Sequence, residues 1–397
     1  MSMRHASGLG MALVVLNLLL ALPAAALDRA GVDALLRRLG EDAHSPGASA
    51  AIMLEGELVY SGGVGVADAE NDVPLDGGSV HNIASISKVH GAIAVMQLVE
   101  RGRVDLDEEI QVHAPWFPRK QAPVTVRQIM THTSGIRHYR DGEFGEGGLL
   151  AFRQFDDIEK ASARWMDEPL LFDPGTHWSY STHASNLLQA VIEHASGQPL
   201  EAYLREHVWA PAGMLSTGFD VPARIVPRRA RGYEYDAASG ELANAVQENV
   251  SYKYVGGGIL SSDEDVVRLG HALNTGALLG AEALREMYRP QLAPGIGPAP
   301  GAPEGTTVPV QALVWRVETD VDGRSYYGHS GSVKGTLSYL ANYSDRDLVV
   351  AVHVNARGGE ANLKLAAERL AAMALQAPAA PDWAVRPRSQ SPGRSWR

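Results

Sequence analysis

The sequence predicts an α+β protein, in which an antiparallel sheet flanked by helices carries an inserted, mostly helical domain. Three observations support this class. Strand-like segments lie near both ends of the chain, a long stretch between them has mostly helical spacing of apolar residues, and a helical segment borders each group of strands. Because sequence-distant strands can pair into one sheet, we expect a discontinuous sheet domain, residues 27–84 and 306–376, and a helical domain, residues 85–305.

The N-terminal part of the sheet domain is predicted to be a helix followed by a β-hairpin. Residues 32–39 have apolar side chains at helical spacing. Residues 48–67 contain two β-rich runs on either side of Glu55-Gly56, which is a typical hairpin turn. A second helix is then expected to run as far as about Glu100.

The middle of the chain contains helical segments separated by Pro and Gly turns, and residues 290–309 are rich enough in both to predict a loop. The C-terminal part returns to strands, with a turn at residues 345–347, and ends in a helix at about residues 361–375. The predicted middle helices are VTVRQIMTH, SNLLQAVIEHAS, LEAYLREHVWAPAG and DEDVVRLGHAL, and the predicted C-terminal strands are ALVWRVETD, SYYGHS, GTLSYLANY and DLVVAVHVN.

The composition excludes several classes of protein. The chain has 397 residues, 45% of them hydrophobic, which is typical of a globular protein with a large core. Its formal net charge of −11 argues against general nucleic-acid binding and against attraction to membrane surfaces through basic patches. It has no cysteine, so a cysteine nucleophile and a cysteine metal site are both excluded.

Both termini have the composition of segments outside the fold. Residues 1–26 combine a basic start, a short apolar run and small residues before Ala26, as in a secretory signal peptide. We expect cleavage near Ala26, export to the periplasm or the medium, and no stable membrane span afterwards; an uncleaved signal anchor is the alternative. Residues 377–397 are rich in Pro, Ser and Arg, which predicts a disordered tail.

The segment SISK, residues 85–88, is open to two interpretations. Ser85 and Lys88 are three residues apart, so on a helix they share one face, where a lysine of lowered pKa can take the serine proton. In the alternative, Ser85 or Ser87 caps the helix and Lys88 is solvated.

Two downstream motifs contain further candidates. Tyr180 follows a Pro-Gly turn, where it either packs its ring or serves as a general base beside a lysine that favours its phenolate. His329 lies between glycines on a predicted strand edge, where it is either structural or a donor to substrate or to the tyrosine oxygen.

No motif indicates a cofactor or a metal. His132 and His138 are six residues apart, which does not place two imidazoles on one helical face, and no H-E-x-x-H pattern occurs. The sequence also lacks G-x-S-x-G and the phosphate-binding P-loop pattern, so neither an α/β-hydrolase nucleophile nor a nucleotide site is predicted.

The order of S-x-x-K, Tyr-Ser-Thr and His-Ser-Gly resembles the serine hydrolases of the class C β-lactamase and penicillin-binding-protein superfamily, over about residues 30–375. Two segments, HTSGIRHY and YKYVGGGILSS, are most similar to the LACTB subfamily of lactamase-like serine proteases. The resemblance implies a β-lactamase/transpeptidase-like fold with the active site between its two parts.

By this resemblance, Ser85 is the nucleophile, Lys88 and Tyr180 share the role of base, and the backbone N–H groups of Ser85 and Ser332 form the oxyanion hole. Two departures bear on the substrate. Thr182 stands where the lactamases have asparagine, and His329 stands where they have a lysine that meets the β-lactam carboxylate. The residues implied to bind substrate or the oxyanion are Thr182, His329, Ser330, Gly331 and Ser332.

The sequence therefore predicts a serine hydrolase that forms an acyl-enzyme on an amide or ester of a small molecule or peptide. The alternatives are a D,D-peptidase or D-aminopeptidase of cell-wall peptides, an esterase, and a non-catalytic binding or scaffold protein of the same fold. The oligomeric state cannot be read from the residues.

Overall fold

The computed structural model describes residues 27–140, 143 and 153–376. The predicted signal peptide, residues 1–26, and the predicted tail, residues 377–397, lie outside the described residues. Within the part described, no helix combines the length and the apolar character needed to cross a membrane.

The described strands form one large sheet and three small ones. The large sheet has seven strands in the order β11-β12-β13-β14-β1-β2-β3, with every neighbouring pair antiparallel. The strands are β1 Gly47–Leu54, β2 Glu57–Asp68, β3 Val73–Pro74, β4 Val80–Asn82, β5 His177–Trp178, β6 Gly218–Phe219, β7 Tyr233–Asp236, β8 Glu241–Asn244, β9 Ile259–Ser262, β10 Gly297–Pro298, β11 Arg316–Thr319, β12 Ser325–Val333, β13 Thr336–Tyr343, β14 Leu348–Val354 and β15 Ala356–Arg357.

The helices precede, follow and interrupt these strands. Short 3₁₀ turns at Ala84–Ile86, Ile110–Val112, Ser251–Lys253 and Ser344–Arg346, and a π turn at Arg205–Trp209, connect or extend them. The α-helices are α1 Arg29–Ala43, α2 Ser87–Glu100, α3 Val126–Met130, α4 Ile158–Ser162, α5 Thr182–Asn186, α6 Leu188–Ser196, α7 Leu200–Leu204, α8 Tyr254–Gly257, α9 Asp263–Asn274, α10 Ala281–Tyr288 and α11 Leu363–Gln376.

Helices cover both faces of the large sheet. The terminal helices α1 and α11 pack on one face, and α9 packs on the other, against β1 and β14. Strand β14 is buried along its whole length, which explains why its sequence LVVAVHV is apolar at every position except His353. Two hydrophobic cores result, one between the sheet and the terminal helices and a larger one around α2 and the middle helices.

The antiparallel sheet built from both ends of the chain is confirmed, as is the first hairpin. Glu55 and Gly56 have φ of 50° and 82°, so both turn residues adopt the left-handed conformation that a two-residue hairpin of matching twist requires. The division into two domains stays a prediction. Helix α9 lies within the segment assigned to the helical domain, yet it packs directly on the large sheet.

The structure differs from the sequence prediction in local detail. The SISK segment begins as a 3₁₀ turn, and the α-helix starts only at Ser87. The middle of the chain also contains short strands, such as the β7–β8 hairpin, which the helical periodicity did not reveal. These strands are two to four residues long, too short for alternating burial to show in the sequence.

Candidate active site

Ser85 lies in the 3₁₀ turn between β4 and α2, in a strained backbone. Ala84 has φ of 50°, a left-handed conformation that costs a non-glycine residue about 1–2 kcal/mol. Its N–H donates to the Asn82 side chain at 2.8 Å, which helps to hold this conformation. Ser85 is only half-buried, so its hydroxyl stays accessible from the cleft.

Lys88 lies in the first turn of α2 and is completely buried. Its ammonium donates to Ser85 Oγ at 3.0 Å and to the carbonyl of Gly256 in α8 at 2.5 Å. The carbonyl holds the lysine in place without neutralising its charge. Lys88 is therefore within direct reach of the proton that a serine nucleophile must lose.

These contacts decide between the two interpretations of SISK. No side chain caps the N-terminus of α2, so neither serine is a helix cap. The Ser87 hydroxyl instead accepts from the N–H of Ile259 at 3.1 Å, tying α2 to β9. Lys88 is buried rather than solvated, which is also incompatible with the structural alternative.

The pKa of Lys88 lies below its ordinary value. Burial is the main cause, because it disfavours the charged amine, and the nearby charges of Lys253 and Arg316 act in the same direction. Tyr180 opposes this shift, since a phenolate would stabilise the ammonium. A lowered pKa increases the fraction of the lysine present as the free amine, which is the form that accepts a proton.

Tyr180 precedes α5 and lies beside this lysine. The Lys88 ammonium is 5.0 Å from the centre of the Tyr180 ring. Burial raises the pKa of Tyr180, but the Lys88 charge and hydrogen bonding with Lys88 and Ser85 outweigh it, so the net pKa is lowered. The lysine and the tyrosine therefore titrate as a coupled pair that can share one proton.

Two histidines that the sequence interpretation set aside pack around Tyr180. The rings of His132 and His138 lie 4.5 Å and 5.4 Å from the tyrosine ring. The backbone N–H of Ser181 donates to His132 Nδ1, and that of Thr182 donates to His138 Nδ1. These two hydrogen bonds fix the start of α5. Burial lowers the pKa of His138 to about 3 and that of His132 well below its usual range, so both stay neutral.

His329 lies on β12 and is 1% exposed. Its Nδ1–H donates to the carbonyl of Ser330 at 2.8 Å. Burial, together with the charges of Arg316 and Lys88, keeps the pKa of His329 well below its ordinary value. The imidazole is therefore neutral and lies beneath the cleft, whereas we had expected it to line the site; Ser330 and Ser332 on the same strand do line it.

Gly331 brings β12 against the segment that carries the nucleophile. A Cβ at this position would lie 2.2 Å from Ser338 Oγ and 2.4 Å from the carbonyl of Ile83, both far inside contact distance. Ser338 also donates to that carbonyl at 3.1 Å. The glycine of His-Ser-Gly thus sets the distance between Ser332 and Ser85, the two predicted oxyanion donors.

Gly331→Ala is expected to lower kcat by about 10²–10³-fold, the typical effect of removing one oxyanion donor, because the added methyl group must push β12 away from Ile83. Steady-state kinetics on an ester substrate measure this. Gly218→Ala is the matched control, since a Cβ there meets nothing within 4 Å. Equal kcat in the two variants would contradict the assigned role of Gly331.

The cleft has a volume of about 320 Å³ and contains a cation that the sequence prediction missed. Arg316, on β11, donates to Ser330 Oγ at 3.0 Å. Strand β11 pairs with β12 only from Ser325 to Gly328, so the edge of β12 beyond Gly328 is not covered by β11. Thr182 lines the same cleft. A positive charge is thus present although His329 has replaced the lactamase lysine.

Among the described residues, no group of three or more His, Asp or Glu side chains is arranged to hold a metal ion.

Comparison with known proteins places this geometry in a family. The Beta-lactamase family profile matches residues 32–374. The human serine beta-lactamase-like protein LACTB, mitochondrial, is 28% identical over 388 residues, covering 77% of this chain and 70% of the human one. The chain spans 56% of the bovine counterpart. Esterase EstB of Burkholderia gladioli is 31% identical over 298 residues, covering 68% of this chain and 75% of its own.

A solved structure shares the fold. The D-amino acid amidase from Ochrobactrum anthropi SV3, complexed with L-phenylalanine amide, superposes with a TM-score of 0.72 at 23% identity, over 87% of this chain and 98% of the amidase. The family profile spans the sheet, the middle helices and every residue of the cleft described above. The chain therefore belongs to the Beta-lactamase family and is a beta-lactamase-like serine hydrolase.

Proposed function

We propose that this protein hydrolyses a peptide-like amide or ester through an acyl-enzyme formed at Ser85. The observation that carries the proposal is the buried ammonium of Lys88, 3.0 Å from the hydroxyl of an accessible serine. Burial of an unpaired lysine is costly, so its retention beside a nucleophile is best explained by catalysis.

The proposed reaction proceeds in two halves. Ser85 Oγ attacks the substrate carbonyl carbon while its proton passes to the Lys88–Tyr180 pair. The pair then protonates the departing amine or alcohol, leaving an ester on Ser85. Water attacks this ester, gives a proton to the pair, and the acid leaves as the serine takes its proton back. The backbone N–H groups of Ser85 and Ser332 would stabilise the oxyanion in both halves.

Arg316 bears on the substrate class. It lies in the cleft beside Ser330, and a guanidinium in this position suits a carboxylate, which it can bind through two parallel hydrogen bonds. This favours a carboxylate-bearing substrate, such as a short peptide. It also supports the peptidase alternative alongside the esterase one.

A panel of substrates tests the proposed activity. We expect the protein without residues 1–26 to turn over nitrophenyl esters and peptide-like amides faster than a β-lactam, because Thr182 cannot supply the amide group that asparagine offers. Release of D-alanine from cell-wall peptides would identify the peptidase alternative. Turnover of a β-lactam faster than of any ester or amide would contradict the proposed preference.

We further propose that the protein acts after export. The support is the composition of residues 1–26, with cleavage near Ala26. Expression of the full chain in a bacterial host, followed by fractionation and N-terminal sequencing, should give a mature N-terminus at or near Leu27 outside the cytoplasm. A full-length protein retained in the cytoplasmic fraction would oppose this.

A further inference from the structure

A second cavity adjoins the catalytic cleft beyond the end of β12, and its volume is about 540 Å³. Val333 lines both spaces. Lys253 lines the cleft, and its buried ion-pair partner Glu248, 3.1 Å away, lines the cavity. The two spaces therefore adjoin at Val333 and at this ion pair.

Most charges in the cavity wall neutralise one another. Arg229 lies 2.8 Å from Asp220, and Arg231 lies 3.3 Å from Asp68. Lys334, a half-buried residue, is different, because its ammonium forms no ion pair with any residue that the structure describes. The cavity wall thus includes one positive charge, that of Lys334, without an ion-pair partner among the described residues.

The turn that carries Lys334 is held in place from both sides. Gly335 has φ of 76°, and its N–H donates to the Glu234 carboxylate at 2.7 Å. A Cβ on Gly335 would lie 2.6 Å from Ala245, which shows how closely the neighbouring hairpin packs. The position of the Lys334 backbone at the rim of the cavity is therefore fixed, while its side chain stays free to meet a ligand.

Lys334 also acts electrostatically on the cleft. Burial lowers the pKa of Lys253, and the positive charge of Lys334 adds to that lowering. Lys253 is itself paired with Glu248, so Lys334 is the cation in this wall that remains available to a ligand.

A substrate lying along β12 places one arm toward each end of the cleft. Its carbonyl must lie between Ser85 and Ser332, where the predicted oxyanion donors are. One substituent of that carbonyl then extends toward Ser330 and Arg316, and the other extends past Val333 toward the cavity. The two ends of the cleft thus carry one cation each, on opposite sides of the bond that is cleaved.

We propose that the second cavity is a substrate subsite whose Lys334 binds a carboxylate on the arm opposite the one held by Arg316. The inference rests on the proposed acyl-enzyme function and specifies its substrate further, as an amide or ester with anionic groups on both sides of the scissile bond. Lys334 is a specificity residue here and takes no part in bond making.

Three nitrophenyl esters test the subsite. 4-Nitrophenyl butyrate is neutral, mono-4-nitrophenyl glutarate has its carboxylate on the acyl arm, and 5-butyryloxy-2-nitrobenzoate has it on the leaving arm. Lys334→Met is expected to lower kcat/KM about fivefold for one of the two charged esters, chiefly through KM, and to leave the other two esters unchanged. Arg316→Met is expected to affect the opposite charged ester.

The controls separate this proposal from the one on which it rests. Lys364→Met, on α11 behind the sheet, should leave kcat/KM unchanged for all three esters. The subsite is overturned if Lys334→Met changes kcat/KM by the same factor for all three esters. It is also overturned if Lys334→Met and Arg316→Met lower kcat/KM for the same charged ester. Wild-type rates on the neutral ester in Ser85→Ala would instead overturn the proposed reaction.

Discussion

Lys88→Met is expected to lower kcat/KM for ester hydrolysis by about 10²–10⁴-fold, the usual contribution of a positioned general base. Methionine has similar length and fills the buried space, but it cannot take the Ser85 proton. It also removes the charge that lowers the pKa of Tyr180, so the second member of the pair loses its basic character at neutral pH. Steady-state kinetics at pH 7 to 9 provide the measurement.

The same substitution at Lys364 is the matched control, because that lysine is partly exposed on α11 and contacts Glu318 and Glu368, away from the cleft. Thermal unfolding of both variants shows whether the fold is intact. A folded Lys88→Met protein with wild-type kcat/KM would rule out the lysine as a base and leave Tyr180 to act alone.

The free energy of unfolding is expected to fall steeply as the pH drops from about 6.5 to 5. Six histidines have lowered pKa values because burial disfavours the charged imidazole, and those with resolved values lie at about 3 or 4. The six are His90 and His138 (about 3), His183 (about 4), and His132, His329 and His353, which lie well below the usual range.

The sign of the effect follows from proton binding in the two states. An unfolded histidine takes up a proton near pH 6.5, whereas these imidazoles stay neutral in the folded protein down to much lower pH. Between the two pKa values the unfolded state binds more protons, so acid favours unfolding. Each histidine contributes up to about 1.4 kcal/mol per pH unit in this range.

Urea denaturation at pH 7, 6 and 5 measures this dependence in a range that lies mostly above the pKa of ordinary carboxyl groups. His90→Asn is the matched variant, since an amide oxygen can still accept from Trp209 Nε1 but cannot titrate. The number of protons that the variant takes up on unfolding should be about one lower than in the wild-type protein. A midpoint that does not change between pH 7 and 5 would contradict the burial of these groups as neutral imidazoles.

The sequence was sufficient for the parts of the fold that local patterns encode. The Glu55-Gly56 turn, the apolar runs of β1 and β14 and the order of strands at the two ends predicted the antiparallel sheet correctly. The spacing of Ser85 and Lys88 places both side chains on one side of a helical turn, but a helix cap with a solvated lysine remained the alternative until the family resemblance was considered. Tyr180 needed the family resemblance, because nothing in its neighbourhood fixes its distance from Lys88.

Other parts of the site arise from packing and have no local signal. The Gly256 carbonyl that holds Lys88 comes from a helix 168 residues away in the chain. Arg316 could have been found from the predicted strands, because pairing ALVWRVETD with SYYGHS places it opposite Gly328, next to the His-Ser-Gly motif. His132 was considered only as a metal ligand. Its ring in fact packs against Tyr180 and accepts a hydrogen bond from the backbone N–H of Ser181.

The identity of the nucleophile is tested most directly by labelling with a fluorophosphonate, followed by intact-mass measurement and peptide mapping. We expect one adduct per chain, located on the peptide containing Ser85, no adduct in Ser85→Ala, and continued labelling in Ser87→Ala. An adduct that persists in Ser85→Ala, or that maps to another serine in the wild-type protein, would contradict it.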